Sequence, residues 1–157
     1  MANKGTPLII RLRPFLKKMN KFMLKIYGPH FPGRRLILLL TTTGRKSGKP
    51  CTTPLQYELI DGIHWVASGW GRDADWLKNI GSDPHVMLQV GSSCYQAQAE
   101  MIADPYHVAN FLELRLERHP VMIGLMLRAQ GLPAKYKRQD LELLAKDITV
   151  VKLNPSN

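Results

Sequence analysis

The stretch from Arg34 to Lys49, RRLILLLTTTGRKSGK, constrains the fold more than any other part of the sequence. Its apolar run from Leu36 to Leu40 predicts a buried strand that passes into three threonines. Two glycines then enclose a turn that carries three cationic side chains and a hydroxyl. Glycine lets a backbone approach a ligand closely, and Arg and Lys form charge-assisted hydrogen bonds with phosphate or carboxylate. An isolated turn of this kind is also typical of a solvated loop, so it needs supporting motifs.

Short strand patterns separated by turn signals follow along the chain. Asp61-Gly62 is typical of a tight hairpin, and residues 95–101 alternate between polar and apolar, which predicts one solvated face. The predicted strands cover residues 35–43, 51–60, 63–68, 85–91, 93–102 and 148–153. Consecutive strands with few helices predict an α+β fold built on a small barrel of about six mainly antiparallel strands.

Four helices are predicted around these strands. They cover residues 14–27, with Pro14 in the first turn, and then 73–80, 104–119 and 121–130. Asp104-Pro105 supplies an N-cap followed by a proline at the first helical position. Gly81 and Gly131 are predicted to end the second and fourth helices. Asp140 and Glu142 are predicted to belong to a charged exposed face within residues 135–146.

The length of 157 residues fits one domain with a sizeable core. We expect an N-terminal basic amphipathic helix and loop at 1–33, a barrel core at 34–102, and helices with the last strand at 103–157. Residues 1–6 are expected to be disordered, and residues 28–33 to form a loop. Cys51 and Cys94 lack metal-ligand spacing, so no metal site is predicted. Neither a signal peptide nor an apolar run of about 20 residues is present, which favours a cytoplasmic protein.

The net charge of +10 is distributed unevenly. Twelve Lys and Arg residues precede Glu58, which is the first acidic residue of the chain. Such polarity predicts an anionic partner: a nucleic acid, an acidic membrane surface or a polyanionic cofactor. No nucleic-acid-binding motif accompanies the charge and aromatic residues are not interleaved with the basic turn, so nucleic acid is not predicted as a partner.

The predicted N-terminal helix is amphipathic, with lysines opposite an apolar face. The apolar face comprises Leu12, Phe15, Leu16, Met19, Phe22, Met23 and Ile26, and the basic face comprises Lys17, Lys18, Lys21 and Lys25. One interpretation is a helix packed on the domain with a solvated basic back. The other is peripheral contact with the inner membrane face, which basic amphipathic helices can make.

Four motifs match one family in order and spacing. They are LLTTTGRKSGKP at residues 39–50, Pro54-Leu55, Val66-Ala67-Ser68, and Trp76-Leu77-Lys78-Asn79 followed by Asp83-Pro84-His85-Val86. Through these motifs the chain resembles the deazaflavin (F420)-dependent nitroreductase family of flavin and deazaflavin oxidoreductases. The resemblance runs from about Leu36 to Gly91. It implies a split β-barrel of the FMN-binding type, coenzyme F420 as the cofactor with FMN as the alternative, and an F420-dependent reductase activity.

The resemblance also implies where the cofactor binds. The basic turn would hold its phosphate and oligoglutamate tail, the strand after the turn would run beside it, Val66–Gly69 would edge its ring, and residues 75–79 would close over it. The implied cofactor-binding residues are Leu39, Arg45, Lys46, Ser47, Lys49, Cys51, Thr52, Thr53, Pro54, Leu55, Val66, Ala67, Ser68, Gly69, Asp75, Trp76, Lys78 and Asn79. Considered without the motif, Trp76 is more typical of a core residue. Ser68 is the single candidate catalytic donor.

The implied reaction is hydride transfer from the reduced deazaflavin to a small electrophilic acceptor, such as a quinone or another conjugated carbonyl compound. The sequence departs from the family pattern at Cys51 and at Gly69, where many relatives carry basic residues. The tyrosine cluster of nitroreductase-active relatives is not recognisable, so nitroreductase activity is not predicted. Val121–Met126 is instead predicted to form a Met-rich apolar pocket wall.

A second function class fits the same fold. Split barrels also hold FMN, haem or fatty acids, so a non-catalytic cofactor or lipid carrier is the alternative to a reductase. The loss of two expected basic positions favours that alternative. The sequence leaves the oligomeric state open between a monomer and a homodimer.

Overall fold

The computed structural model describes residues 8–27, 30, 35–69 and 71–156. The predictions made for residues 1–6 and for most of the 28–33 loop lie outside the described residues. The helices and strands are α1 (Leu8–Ile26), β1 (Ile37–Thr43), β2 (Pro50–Ile60), β3 (Ile63–Ser68), a 3₁₀ turn (Gly71–Asp73), α2 (Asp75–Ser82), β4 (His85–Val90), β5 (Ser93–Ile102), α3 (Pro105–Arg118), α4 (Pro120–Ala129), α5 (Arg138–Ala145) and β6 (Thr149–Pro155).

The six strands form a closed antiparallel barrel in the order β1-β2-β3-β6-β5-β4, in which β4 pairs with β1. The predicted barrel and its strands are confirmed, with strand ends that differ from the prediction by at most two residues. The hairpin predicted at Asp61-Gly62 is confirmed, since these residues have φ of 51° and 77°. Positive φ at both central turn positions is what a tight hairpin between twisted strands requires.

The barrel interior forms one hydrophobic core, which α2 helps to close. Along β1 the inward positions Leu38 and Leu40 are fully buried. Trp76, Leu77 and Ile80 of α2 belong to the same cluster. Alternation along the strands supplies the barrel side of this core, and the buried face of α2 supplies the rest.

The C-terminal helices cover the outside of the sheet and form a second core. Its largest fully buried side chains include Val108, Leu112 and Ile123, and strand β6 contributes Val150 from its outer face. Helix α5 was not predicted from the sequence, because residues 138–145 are rich in charge. Leu141 and Ala145, both fully buried, nevertheless lie one helical turn apart on the face that packs inward.

Two helix boundaries correct the sequence predictions. Helix α1 begins at Leu8, so Pro14 lies inside the helix and not in its first turn. Helix α2 continues through Gly81 to Ser82, where the amide of Asp83 donates to the carbonyl of Asn79. Glycine lowers helix stability by only about 1 kcal/mol, which the packing of α2 against the barrel outweighs.

Helix α1 contacts β2 of the barrel, while four side chains of its predicted apolar face are exposed, so both interpretations of the helix stay predictions. Phe15 and Phe22 are 64% and 61% exposed, and Met19 and Ile26 are also exposed. No helix within the described residues is long and apolar enough to cross a membrane.

Tyr27, which follows α1, connects the helix to the barrel where β1 meets β4. Its hydroxyl lies 2.9 Å from the carbonyl oxygen of Ile37 and 3.4 Å from that of Gln89, and it accepts the amide of Gly91 at 3.1 Å. The β1–β4 ladder spans only three residue pairs. One phenol therefore binds backbone groups from both strands beside the shortest ladder of the barrel.

A buried carboxylate on β2 holds the junction between α3 and α4. Glu58 is 4% exposed and accepts from Arg115 at 3.3 Å and from Arg118 at 3.1 Å, while His119 Nε2 lies 3.3 Å from its Oε1. Burial lowers the pKa of Arg115, and the charge of Glu58 opposes that effect. Glu58 thus compensates a buried guanidinium and fixes where α3 turns into α4.

Replacing Glu58 by Gln should lower the free energy of unfolding by about 3–5 kcal/mol, because the Arg115 charge is left buried without its counter-ion. Urea unfolding followed by circular dichroism measures the change. The control is Glu117→Gln, an exposed position on α3 two residues from Arg115, which should change stability by less than about 0.5 kcal/mol. Equal stability of both variants would refute the role assigned to Glu58.

Candidate active site

The ladder between β2 and β3 covers only part of both strands. It runs from Ile60↔Ile63 to Tyr57↔Val66, whereas β2 pairs with β1 from Gln56 back to Pro50. In the described residues, β2 therefore continues beyond its pairing with β3. Pro54, which has no amide hydrogen for a ladder, lies in the part that does not pair with β3. We call the region where residues 50–56 of β2 and the end of β3 do not pair with each other the split.

The basic turn at residues 44–49 lies at the end of β2 that borders the split. The Gly44 amide donates to the Lys49 carbonyl at 2.8 Å, and the Gly48 amide to the Gly44 carbonyl at 2.7 Å. A Cβ atom at Gly44 would lie 2.6 Å from Ser47 Oγ, and Gly48 has a φ of 66°. Both glycines are thus needed for the turn, one for space and the other for its left-handed backbone.

The cations of the turn have different environments. Arg45 forms an ion pair with Asp75 at 3.3 Å, and its side chain is 27% exposed. Lys46 and Lys49 are exposed, and within the described part of the chain neither has an ion-pair partner. On the neighbouring helix, Lys78 pairs with Asp73 at 3.5 Å. The two unpaired lysines are therefore the charges most available to an anion.

A buried amide ties the turn to α2. Asn79 is 4% exposed, and its Oδ1 accepts from the Arg45 amide at 3.2 Å and from Arg45 Nη1 at 3.1 Å. Its Nδ2 donates to Thr42 Oγ1 at 3.0 Å. The Asn79 side chain thus has partners on both its oxygen and its nitrogen, all from β1 and the basic turn.

Helix α4 contacts both sides of the split. Near its start, Met122 Sδ accepts from Gln56 Nε2 of β2 at 3.4 Å. Just after its end, Gln130 Nε2 lies 3.2 Å from where a Cβ of Gly69 would stand, directly after β3. Helix α4 therefore bonds β2, and the residue that caps it lies close to the end of β3.

The structure places several predicted site residues in the cores. Trp76 is 6% exposed, and Val66 and Leu55 also belong to or pack against the barrel core. Ser68 is 1% exposed and faces the interior, so it is not an exposed donor in this structure. Ala67 packs against the second core. From these positions the cofactor would meet backbone edges and not the buried side chains.

Other predicted site residues lie together on the outer side of β1 and β2. Leu39 pairs with Pro54, and Thr41 with Thr52, whose hydroxyls lie 2.8 Å apart. The predicted residues with exposed or half-buried side chains near the turn are Lys46, Ser47, Lys49, Cys51, Thr52 and Thr53. Their binding of a cofactor stays a prediction.

Gln56 and Gln130 were not identified from the sequence as site residues, and Met122 was predicted only as part of the Val121–Met126 pocket wall. Glutamine carries no motif signal, and the approach of Gln130 to Gly69 joins residues far apart in the chain. The region Val121–Met126 was predicted as a pocket wall. In the structure Val121 and Leu125 are 75% and 62% exposed, so the contact with β2 comes from Met122.

His64, His85 and His107 bond neighbouring side chains. His107 donates its amide to the Asp104 side chain, as the predicted N-cap requires, and this bond lowers the pKa of Asp104. The His85 ring lies 2.9 Å from Asp83 Oδ1, to which the His85 amide also donates, and these two bonds, the side-chain bond most, lower the pKa of Asp83. His64 bonds Tyr95 at 2.5 Å, and burial lowers its pKa. Among the described residues no cluster could hold a metal ion.

The model of a family described as F420H(2)-dependent quinone reductase matches residues 13–120. Two relatives carry that name, from Mycobacterium tuberculosis strains H37Rv and CDC 1551. Each is 31% identical over 78 residues, which is 48% of this chain and 52% of the relative. The chain thus matches about half the length of these relatives.

Solved structures share the fold at lower identity. An F420-H2-dependent reductase aligns with a TM-score of 0.54 at 23% identity, covering 76% of this chain and 95% of that one. A haem storage protein from Vibrio cholerae aligns with a TM-score of 0.52 at 15% identity, covering 78% and 83%. The predicted split-barrel fold is confirmed. Because both function classes occur on it, the fold alone does not choose between them. The expected monomer or homodimer stays a prediction.

Asn79→Ala should lower the free energy of unfolding by about 1–3 kcal/mol, since it removes a hydrogen-bond partner from the amide of Arg45 and from the buried hydroxyl of Thr42. Thermal or urea unfolding measures the loss. Asn154→Ala removes an exposed amide bond to Glu100 and should cost less than about 0.5 kcal/mol. An Asn79 variant as stable as the Asn154 variant would contradict the described network.

Proposed function

Because the chain belongs to the F420H(2)-dependent quinone reductase family, we propose that it reduces quinones or other conjugated carbonyl compounds with reduced coenzyme F420. The observation that carries the proposal is the family match over residues 13–120, which includes the basic turn, both edges of the split and α2. When bound, the reduced deazaflavin supplies the hydride. The carrier alternative has the same fold, which the haem storage protein from Vibrio cholerae shares.

The chemistry of the available side chains fits a polyanionic cofactor. Lys46 and Lys49 are exposed cations on a turn that two glycines hold in shape. They would bind the phosphate and the oligoglutamate tail through charge-assisted hydrogen bonds. Cys51, where many relatives carry a basic residue, follows directly and adds no charge. The tail site is therefore built mainly from two lysines.

The split would receive the ring system of the cofactor. Leu39 and Pro54, which are both buried, pair across β1 and β2 beside it. The backbone groups of residues 50–56 that face away from β1 would supply donors and acceptors at its margin. Binding there excludes water from one side of the reacting centre, which strengthens electrostatic interactions within it.

The Gln56 amide is placed to stabilise the acceptor. Its Nε2 donates to Met122 Sδ, and a thioether is a weak acceptor. Nε2 carries a second N–H, which in this proposal donates to the carbonyl oxygen of the acceptor and stabilises the negative charge that develops there during reduction. Arg115 holds the other end of the amide, through Gln56 Oε1 at 3.0 Å. A proton from solvent completes the reduction.

Saturable binding of coenzyme F420 should be observed by fluorescence titration of the purified protein, with FMN bound more weakly. Lys46→Ala and Lys49→Ala should each weaken F420 binding by about tenfold, the effect of losing one hydrogen bond to a charged group. Lys146→Ala at the end of α5 is the matched control and should leave binding unchanged. Tight binding of FMN or haem in place of F420 would refute the reductase and support a carrier.

We also propose that α1 contacts anionic lipid surfaces. Phe15, Met19, Phe22 and Ile26 recur at helical spacing and are all exposed. No acidic residue lies in the helix. The stripe is flanked by the exposed lysines Lys17, Lys18, Lys21 and Lys25. An apolar stripe bordered by positive charge matches an anionic bilayer surface, whereas the same charges would repel a second copy of the helix.

The protein should sediment with vesicles that contain anionic phospholipid and not with purely zwitterionic vesicles, and salt should release it. Phe22→Ser should reduce the bound fraction by about tenfold, as expected from the lost burial of one large apolar side chain. Leu143→Ser, at a 64% exposed position on α5, should have no effect. Binding that is equal for both lipid compositions, or absent, would refute the contact.

A further inference from the structure

Arg45 lies in the basic turn, and its donors contact α2. Its backbone amide and its Nη1 both donate to Asn79 Oδ1, at 3.2 and 3.1 Å. Its Nη1 also lies 3.4 Å from the carbonyl oxygen of Asp75, and its Nη2 lies 3.3 Å from Asp75 Oδ1. One arginine therefore contacts both the first residue and the middle of α2.

The barrel core fixes the position of helix α2, which Arg45 contacts. Trp76, Leu77 and Ile80 are at most 6% exposed and pack in the barrel core. The same Asn79 side chain donates to Thr42 of β1, which is 1% exposed. The turn is thus connected to two elements whose positions the core determines.

We propose that Arg45 is a positioning residue that locks the basic turn onto α2, leaving Lys46 and Lys49 to bind the anionic part of the cofactor. The inference rests on the proposed function, because it assumes that the turn receives an anion. Neighbouring cations then have different roles. The planar guanidinium of Arg45 makes several fixed contacts, and the ammonium groups of Lys46 and Lys49 supply mobile point charges. The sequence alone had assigned all three to the anion.

Substitution of Asp75 distinguishes positioning from direct anion binding, because the two roles predict changes in F420 affinity of opposite sign. If Arg45 bound the anion itself, Asp75→Asn would remove a competing carboxylate and F420 affinity would rise. If Arg45 positions the turn, the same change loosens the turn and affinity stays equal or falls. Asp73→Asn is the matched control, because it removes an acid of the same region and frees Lys78 while leaving every Arg45 contact intact.

Hydrogen exchange of the protein without cofactor provides a readout independent of binding. Asp75→Asn should speed exchange of the amides in residues 44–47 and in α2 by about two- to fivefold, since an ion pair that is partly exposed contributes at most about that factor. Lys46→Ala should weaken F420 binding by about tenfold and leave this exchange unchanged.

Arg45→Lys provides the second variant, because lysine keeps the charge but cannot make the forked contacts to Asn79 and Asp75. If Arg45 positions the turn, the amides of the turn should exchange as fast in Arg45→Lys as in Arg45→Ala, and the two variants should bind F420 equally weakly. A direct charge contact predicts that the lysine restores most of the affinity lost in the alanine variant.

The outcomes distinguish failure of this inference from failure of the proposed function. If the wild-type protein binds no F420, the proposed function fails, while faster exchange in Asp75→Asn and Arg45→Lys still supports the lock between the turn and α2. If the wild type binds F420 but Asp75→Asn binds it more tightly than Asp73→Asn does, the positioning role is overturned. Unchanged exchange in both Arg45→Lys and Asp75→Asn overturns it as well.

Discussion

Backbone hydrogen bonding is the constraint on which the arrangement of this protein depends. A closed sheet must satisfy the polar groups along every strand edge, by strand pairing or by another partner. Two ladders of the barrel are short, β1 with β4 and β2 with β3. The Tyr27 hydroxyl binds backbone groups beside the first, and α4 contacts both sides of the second. The candidate site therefore lies beside a short ladder of the closed barrel.

Acidic residues later in the chain determine which of the early cations are paired in the folded protein. All twelve cations that precede Glu58 look alike in the sequence, since no acid lies among them. Folding brings Asp75 to Arg45, while Lys46 and Lys49 stay unpaired among the described residues. Glu58 in turn meets two arginines and a histidine of the C-terminal layer. Net charge predicted an anionic ligand, but the fold determines which cations are available to it.

The sequence predicted the strands well because their ends are marked by turn chemistry, as at Asp61-Gly62. It predicted less well where tertiary packing decides. Helix α5 was missed because charge hides the buried Leu141, and α2 continues through Gly81 because the helix packs in the core. At the site, the basic turn was identifiable from its glycines and lysines. The partners of Arg45 and the approach of Gln130 to Gly69 join distant segments, and no local pattern encodes them.

The close approach of Gln130 to Gly69 also bears on what position 69 can hold. A Cβ atom at position 69 would stand 3.2 Å from the Gln130 amide, which would have to shift by a few tenths of an ångström to admit it. That amide is the far end of a flexible side chain, so the shift is small. Lack of space therefore does not require the glycine, and a substitution there can leave the packing of α4 in the second core unchanged.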